Sequence, residues 1–490
     1  MQATTEQHSS SGHHTLRAVS GGAFLRVLRY PFVMLSMALL PRLMGDAAYG
    51  EYAYYMSIFL VLDIFTDIGV IQMFGRFVPE CLARGDRAGA RNLLHGSLTF
   101  SLSLTGLLIT GILLYTTFFP IPNFRPQWTL ALCLQLLFTQ IEGILFSFVY
   151  SLNRIERYSL KEIYRSAFTF CFVFSMYWFF GLDGALWGLV MNAFLMALIA
   201  LRWTWPWLIE QPVTVTPKAY LPYLFFGVQF YIPAFFYGLM QRSGNVFVRH
   251  FSGAPDQVAY YDVANQLLLL LSQFLCLILS TLIPSLTHLH ARDEQDRIDQ
   301  WQGKALTCCL VIAFFAFNAL VWFGDDMITL VFGAEYAPVY PNAIIAMLGL
   351  AALLPASVGM NYSLLRKEPW VYAVGVSLGL AVMAGGSILT VPIWKSAGAS
   401  ASTCAGYIAL SLFFMLKYRK RFRGMMRPVL VVVGSAALLA PSYLLKSHFG
   451  LPAAIALFVA TSILYAALML FTRTLTLDDA RQLILAYRKK

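Results

Sequence analysis

Apolar runs of about 20 residues recur along the chain from near Leu16 to Phe471. A helix of that length rises about 30 Å, which matches the hydrocarbon thickness of a bilayer. Hydrophobic residues make up 59% of the 490 residues and charged residues only 12%, which is more apolar surface than a water-soluble domain buries. The sequence therefore predicts an all-α membrane protein that crosses the bilayer many times.

We predict fourteen transmembrane helices from the length of these runs. Their approximate bounds are 18–41, 52–75, 94–118, 128–151, 160–180, 184–204, 221–245, 258–284, 305–324, 341–364, 371–392, 398–416, 427–445 and 452–472.

The Lys and Arg residues predict the orientation, because cytoplasmic loops carry an excess of basic residues. On the fourteen-span topology, 29 of the 35 lie on the side of the two chain termini and six lie on the opposite side. Both termini are therefore predicted to be cytoplasmic. The net charge of +11 then reflects topology and contact with anionic lipid, so nucleic acid is not needed as a partner.

The sequence also repeats weakly within itself. At a shift near 208, Arg42, Gly45 and Tyr52 align with Arg249, Gly253 and Tyr260, and at a shift of 212 to 214 further matches follow. They are Leu152, Arg154 and Glu156 with Leu364, Arg366 and Glu368, and Gly184-Ala185 with Gly398-Ala399. The repeat predicts two six-helix lobes related by a pseudo-twofold axis along the membrane normal, an arrangement typical of alternating-access transporters.

The repeat and the spans together predict four parts. Residues 1–17 form a disordered cytoplasmic tail, 18–217 the N-lobe with spans 1 to 6, and 218–420 the C-lobe with spans 7 to 12. Residues 421–490 add two further spans and a basic cytoplasmic tail.

The first span of each lobe is rich in Pro and Gly, with Pro31 and Pro41 in span 1 and Pro222, Gly227 and Pro233 in span 7. Interrupted helices in corresponding positions of two halves are typical of transporter binding sites. Membrane helices also tolerate Pro and Gly for packing reasons alone, so both interpretations stand.

Arginines inside the spans are the main candidate ligands for an anionic substrate. The segment between Arg29 and Arg42 rises only about 18 Å, so at least Arg29 lies at membrane depth. Arg242 lies inside span 7, seven residues before Arg249. A guanidinium suits phosphate because its fork donates two parallel hydrogen bonds. Arg29, Arg42, Arg242 and Arg249 are candidate substrate-binding residues, and a buried ion pair is the alternative for those at depth.

Three acids also lie at membrane depth. Asp63 and Asp67 are four residues apart, which predicts that they share one face of a helix, and Glu142 lies in span 4. The repeat pairs Asp63 and Asp67 with Leu271 and Leu275, so the acids belong to one lobe only. They are predicted to pair with arginine or to bind a coupling proton or sodium ion, and Asp67 has helix-end polarity as a third alternative.

Uncharged polar residues complete the candidate site. Gln229 and Gln266 are predicted to contact sugar hydroxyls, although hydrogen bonds between helices are an alternative role. The loops between spans are short, and they hold no metal-ligand cluster, phosphate-binding Gly-rich loop or nucleophile-base constellation. The sequence therefore predicts a transporter that is not an enzyme and needs no cofactor.

Several short motifs resemble the polysaccharide transporter family, the Wzx-type flippases of the multidrug, oligosaccharidyl-lipid and polysaccharide exporter superfamily. They are RLMGDAAYGEY (Arg42 to Tyr52), DIG (Asp67 to Gly69), GRFVPE (Gly75 to Glu80) and VFGAEY (Val331 to Tyr336). The resemblance implies fourteen helices in two lobes, and movement of polyprenyl-pyrophosphate-linked oligosaccharide from the inner to the outer leaflet of the bacterial cytoplasmic membrane. It further implies surface-polysaccharide synthesis, with cation coupling and with a polysaccharide polymerase and export machinery as partners.

Two other classes stay open. A cation-coupled multidrug exporter of the same superfamily would share the lobes but favour a more apolar, acid-lined cavity. A membrane-bound enzyme or assembly scaffold of the polysaccharide pathway is the third class. The sign of the cavity potential separates the first two, because a positive centre fits an anionic lipid-linked sugar and a negative one fits cationic drugs.

Overall fold

The computed structural model describes residues 29–119, 124–210, 217–439 and 450–471. In those ranges the regular structure is helical, without a strand. The helices are α1 (Tyr30–Ile64), α2 (Val70–Ala83), α3 (Arg87–Phe118), α4 (Pro126–Ser151), α5 (Ile155–Ile209), α6 (Pro217–Arg242), α7 (Gly244–Ser252), α8 (Pro255–Thr281), α9 (Ile283–Ala291), α10 (Gln295–Phe332), α11 (Val339–Leu365), α12 (Pro369–Lys417), α13 (Arg419–Phe422), α14 (Met426–Leu439) and α15 (Leu451–Phe471). The predicted tail 1–17 lies outside the described residues.

Three of the helices bend sharply at one residue with a positive φ. They are α1 at Gly45 (φ 75°), α5 at Gly181 (φ 63°) and α12 at Lys395 (φ 50°). Nine helices of the described part are long and apolar enough to cross a bilayer, and the bent α5 and α12 are each long enough to cross twice. With α1, α2 and the shorter α14, the fourteen predicted spans coincide with helix over most of their described residues, and span 2 is interrupted at residues 65–69, so the all-α multi-pass fold is confirmed.

Positive-φ residues recur at equivalent places in the two halves. Ten described residues have a positive φ, and eight of them form four pairs at the shifts of the sequence repeat. The pairs are Gly45 with Gly253 and Gly85 with Asp293 at a shift of 208, and Asn153 with Lys367 and Gly181 with Lys395 at a shift of 214. L-residues rarely adopt this conformation, so four coincidences support a duplicated fold. The pseudo-twofold axis stays a prediction.

One backbone break has no counterpart in the second half. Helix α1 ends at Ile64 and α2 begins at Val70, with Gly69 in the left-handed region at φ 81°. The equivalent residues 273–277 lie inside the continuous helix α8. By contrast, α6 runs through Pro222 and Pro233 without ending. The interruption expected in spans 1 and 7 is therefore found most clearly in span 2.

Gly69 also makes a close backbone contact. A Cβ on Gly69 would overlap the backbone of Gly227 in α6, and a Cβ on Gly227 would overlap the backbone of Gly69. Both positions therefore need glycine, Gly69 for its left-handed conformation as well. This contact fixes the break in span 2 against the middle of α6.

The chain divides into two compact units. The first holds residues up to 44 and 55–235, and the second holds 45–54 and the residues from 236 onward. Buried side chains of α2, α3 and α4 form a core in the first unit, and Tyr336, Tyr407 and Phe414 are fully buried in the second. The predicted lobe boundary at 217 and 218, and a separate part from 421, stay predictions.

Candidate functional site

The first unit holds a group of charged side chains that we call the basic cluster: Arg29, Lys161, Arg165, Glu142 and Glu162. Arg29 precedes α1 and donates to Glu162 on α5 across 2.7 Å. Arg165, one turn further along α5, places Nη2 2.8 Å from both carboxylate oxygens of Glu142 on α4. Lys161 lies 3.8 Å from Glu142.

The side chains of the basic cluster differ in exposure. Glu142 is 1% and Lys161 9% exposed, whereas Arg165 is 38%, Arg29 29% and Glu162 22% exposed. A buried carboxylate such as Glu142 requires cationic partners, because an unpaired charge in a low-dielectric interior costs several kcal/mol. The accessible part of the basic cluster therefore holds two guanidinium groups and one carboxylate, that of Glu162.

Arg29 and Arg165 both keep N–H groups that donate no hydrogen bond to a described residue. Arg165 makes no hydrogen bond to the described residues beyond those of its Nη2 to Glu142. The Nε of Arg29 is buried and meets no acceptor in the described ranges. The Arg29 guanidinium also lies 5.1 Å from the ring centroid of Tyr30. Unsatisfied guanidinium donors of this kind suit an oxyanion ligand.

Asp63 and Asp67 do not share a helix face, so that prediction was wrong. The helix that carries Asp63 ends at Ile64, and Asp67 lies in the break between α1 and α2. Asp67 Oδ1 accepts a hydrogen bond of 3.1 Å from the Val70 backbone N–H, which satisfies a free donor of the first turn of α2. This is the helix-end role, whereas Asp63 interacts electrostatically with Arg165 and Lys161 of the basic cluster.

Neighbouring side chains satisfy the backbone of the break. The Thr66 hydroxyl lies 2.7 Å from the Asp63 carbonyl oxygen and 2.9 Å from Gln140 Oε1. Gln140 Nε2 donates to the Thr66 carbonyl across 3.0 Å, and the Tyr231 hydroxyl donates to the Ile64 carbonyl. Irregular backbone at membrane depth requires such partners because lipid supplies none.

The second unit holds a different polar group around Asp262 on α8, which we call the Asp262 site. Tyr49 OH donates to Asp262 Oδ2 across 2.8 Å, and Asn245 Nδ2 donates to Oδ1 across 2.6 Å. Gln266 Nε2 lies 2.6 Å from Asp262 Oδ2 and 2.9 Å from Tyr49 OH. Asp262 is 9% exposed and has no cation within ion-pair distance in the described part. Gln266 is thus bonded within the protein, and its contact with substrate stays a prediction.

The other predicted substrate-binding residues lie in different surroundings. Arg249 pairs with Glu51 across 2.7 Å, and both side chains are largely buried. Arg42 and Gln229 are exposed, and Arg242 is half-buried. For these four residues a role in substrate binding stays a prediction.

The sequence analysis missed three members of the basic cluster, Lys161, Glu162 and Arg165. Lys161 and Arg165 lie inside the predicted span 160–180 and inside helix α5, but they entered the prediction only through the count of cytoplasmic basic residues. The signal was present as the run KEIYR, because residues spaced by four face the same side of a helix. Within the described residues no group of three or more His, Cys, Asp or Glu side chains is arranged to hold a metal ion.

Helices of this number and length define a multi-pass membrane protein. Residues 22–290 match the family model described as polysaccharide biosynthesis protein, which is more than half of the chain. The chain therefore belongs to this family, as its motifs had indicated. No curated protein sequence matches the chain at a significant level.

Solved structures show the same fold. The lipid II flippase MurJ in an inward closed conformation aligns with a TM-score of 0.67 at 16% identity, over 94% of this chain and 99% of that one. An inward-facing multidrug resistance transporter of the MATE family aligns with a TM-score of 0.65 at 13% identity, over 82% and 99%. A transporter of the MOP superfamily from Pyrococcus furiosus aligns with a TM-score of 0.55 at 14% identity, over 84% and 96%. At such identities the likeness shows the fold alone.

Proposed function

We propose that this protein is a flippase that moves polyprenyl-pyrophosphate-linked oligosaccharide from the inner to the outer leaflet of the bacterial cytoplasmic membrane. The observation that carries the proposal is the basic cluster, in which Arg29 and Arg165 are partly exposed while Glu142, the partner of Arg165, is buried. A pyrophosphate group carries several negative oxygens, and guanidinium groups bind such oxygens with charge-assisted hydrogen bonds.

The position of the basic cluster also suits a lipid-linked substrate. Glu142, Lys161 and Arg165 lie on α4 and α5, two of the apolar helices that cross the bilayer. A soluble sugar phosphate does not require a cation at that depth, whereas a headgroup moving between leaflets must pass through the apolar layer. The cost of its charge falls where the protein supplies cations that already lie there.

The same proposal specifies the direction of translocation and the proteins that act after it. The split of 29 basic residues to six supports cytoplasmic termini and an inner-leaflet start. The two lobes would open alternately to the two sides, with Asp63 and Asp67 as candidates for proton or sodium coupling. Exported repeat units would then pass to a polysaccharide polymerase and export machinery, and the flippase itself would transfer no sugar.

The multidrug exporter is the second candidate function. It is favoured by the Asp262 site, because a buried carboxylate with neutral donors resembles a site for a cation or a proton. Deletion of the gene in the native host separates the two functions. The flippase predicts that pyrophosphate-linked repeat units accumulate on the inner face while surface polymer disappears, whereas the exporter predicts normal polymer and altered drug resistance.

Substitutions of Arg29 test the role of the basic cluster. Arg29→Ala removes the charge and should abolish polymer export at a normal protein level, whereas Arg29→Lys keeps the charge without the fork and should retain part of it. Arg125→Ala is the matched control, because it removes a 62% exposed arginine that pairs with Asp183 far along the sequence. Export at the wild-type level in Arg29→Ala would contradict the proposal.

A further inference from the structure

A groove lies between the two arms of the bent helix α5, at the end farthest from the bend at Gly181. It has a volume of about 700 Å³ and is lined by Arg157, Leu198, Arg202, Trp203, Trp205 and Pro206. Its residues belong to the first unit and lie outside the basic cluster. Nothing in the proposed translocation step requires them.

The bend at Gly181 brings the two arginines of the groove to the same end of the hairpin. Arg157 lies 24 residues before Gly181 and Arg202 lies 21 residues after it. Both distances correspond to a helical rise of about 30 to 35 Å, the thickness of the hydrocarbon layer. The groove is therefore at a membrane boundary, on the side to which the sequence assigns an excess of basic residues.

Neither arginine of the groove has an acidic partner in the described part of the chain. The Arg157 guanidinium lies 5.7 Å from the ring centroid of Trp203, and Arg202 is exposed. Glu210, the acid that follows Arg202 in the sequence, is bonded to Arg91. Two cations thus border one groove without an acid paired to either among the described residues.

The remaining walls of the groove are aromatic and aliphatic. Trp203 is held by an edge contact with Phe146, at 5.6 Å between ring centroids. Trp205 is 51% exposed and Leu198 44% exposed, on the outward side of the same helix. Tryptophan concentrates at the level of lipid headgroups, and basic pockets at the cytoplasmic ends of helices bind anionic headgroups.

From this geometry we infer that the groove binds an anionic phospholipid, with its phosphate between Arg157 and Arg202 and its acyl chains along Trp205 and Leu198. A free phosphate would use the arginines but leave the apolar walls unfilled. A zwitterionic lipid would use the walls but bring a cation to the two guanidinium groups. An anionic lipid satisfies both parts of the groove.

The test measures lipid binding to the full-length protein purified in detergent, by native mass spectrometry with phosphatidylglycerol and with phosphatidylcholine of the same acyl chains. Wild type should retain phosphatidylglycerol preferentially. Arg157→Gln with Arg202→Gln should lower the affinity for phosphatidylglycerol about ten-fold or more, because it removes the charge-assisted hydrogen bonds to the phosphate. Its affinity for phosphatidylcholine should not change.

The matched control is Arg419→Gln with Lys420→Gln, which removes two exposed basic residues of α13 from the same predicted side. It should bind phosphatidylglycerol as wild type does. Trp205→Ala keeps both charges and should weaken binding of phosphatidylglycerol while leaving Arg157 and Arg202 intact. If the double Gln variant folds poorly, Arg157→Lys with Arg202→Lys keeps both charges and should retain intermediate affinity.

Three outcomes would overturn the inference. The first is equal phosphatidylglycerol binding by the double Gln variant and wild type. The second is an equal loss of both lipids, which would indicate an apolar groove without phosphate recognition. The third is displacement of the lipid by inorganic phosphate at similar concentration, which would indicate a phosphate site. Because the measurement is of lipid binding, none of these results depends on whether the protein translocates an oligosaccharide.

Discussion

The two halves of the chain share their backbone turns but differ in what the corresponding helices carry. Four pairs of positive-φ residues match between them, yet only the first half breaks its second span. The basic cluster is also confined to the first half. At the shifts of the repeat, Glu142 corresponds to residues 354–356, and Lys161 and Arg165 correspond to 373–375 and 377–379, all of which are uncharged.

The shared turns reflect the duplicated fold, whereas the charges found in one half only reflect a binding or transport role. A duplicated scaffold needs the same turns in both copies, so the turns are shared. A substrate or ion site needs charge in one place, and charge within the bilayer is costly wherever it is not used. The second half buries a single carboxylate at a different position, Asp262, which is held by hydroxyl and amide donors and has no basic partner among the described residues. The asymmetry therefore locates the candidate chemistry in the first half.

The largest effect on stability is expected from Glu142→Gln. This change leaves Arg165 and Lys161 without the buried carboxylate that they contact, which should lower the free energy of unfolding by about 3 kcal/mol. Glu80→Gln, which breaks an exposed pair with Arg84, should cost less than about 1 kcal/mol. Thermal unfolding in detergent measures both, and equal losses would contradict a special role for the basic cluster. Adding Arg165→Gln to Glu142→Gln should restore part of the loss.

The next largest effect is expected from Gly69→Ala. The left-handed conformation costs a non-glycine residue about 1–2 kcal/mol, and the new Cβ also overlaps the Gly227 backbone. Gly85→Ala is the matched control, because Gly85 has φ 74° but open space around it. If the two variants unfold at the same temperature, the contact between Gly69 and Gly227 does not fix the break.

A smaller effect is expected from Asp262→Asn. The substituted amide keeps one acceptor but turns its NH₂ group toward a donor, which should lower the free energy of unfolding by about 1–2 kcal/mol. The matched change Asp299→Asn breaks a half-exposed contact with Arg421 and should cost less than 1 kcal/mol. If transport no longer depends on a proton or sodium gradient in Asp262→Asn but still does in Asp299→Asn, the coupling residue lies in the second half.

The smallest effect is expected at Asp67. The Asn side-chain oxygen can accept the same hydrogen bond from the Val70 N–H, so Asp67→Asn should leave stability nearly unchanged, whereas Asp67→Ala should lose about 1 kcal/mol. If Asp67 also couples transport, Asp67→Asn will fold normally yet lose its dependence on the ion gradient. Asp63→Asn is the paired measurement, because Asp63 interacts electrostatically with the basic cluster and its loss should reduce folding yield.

The sequence predicted the spans and the repeat because both depend on patterns that extend over many residues. Long apolar runs and the alignment of Arg42 and Gly45 with Arg249 and Gly253 are visible without a structure. Lys395 was not predicted as a bend, because a lysine gives no local signal for a positive φ.

The basic cluster was predicted in part. Arg29 and Glu142 were found from their depth, but Lys161 and Arg165, which lie in the first turns of the predicted span 160–180, were counted only among the cytoplasmic basic residues. The break at residues 65–69 was missed because the apolar pattern continues through it. Thr66 and Gln140 are 74 residues apart, so their hydrogen bonds have no local sequence signal.

The single-residue bend at Gly181 has a consequence for biogenesis. Two helices joined without a loop cannot leave the insertion channel one at a time, so the arms of α5 should enter the membrane together as a hairpin. The first arm carries Lys161 and Arg165, and basic residues within a span raise the cost of its insertion. Glu142 lies on the helix made just before it. We therefore expect α4 and α5 to insert together, so that Glu142 meets its cationic partners as soon as they are synthesised.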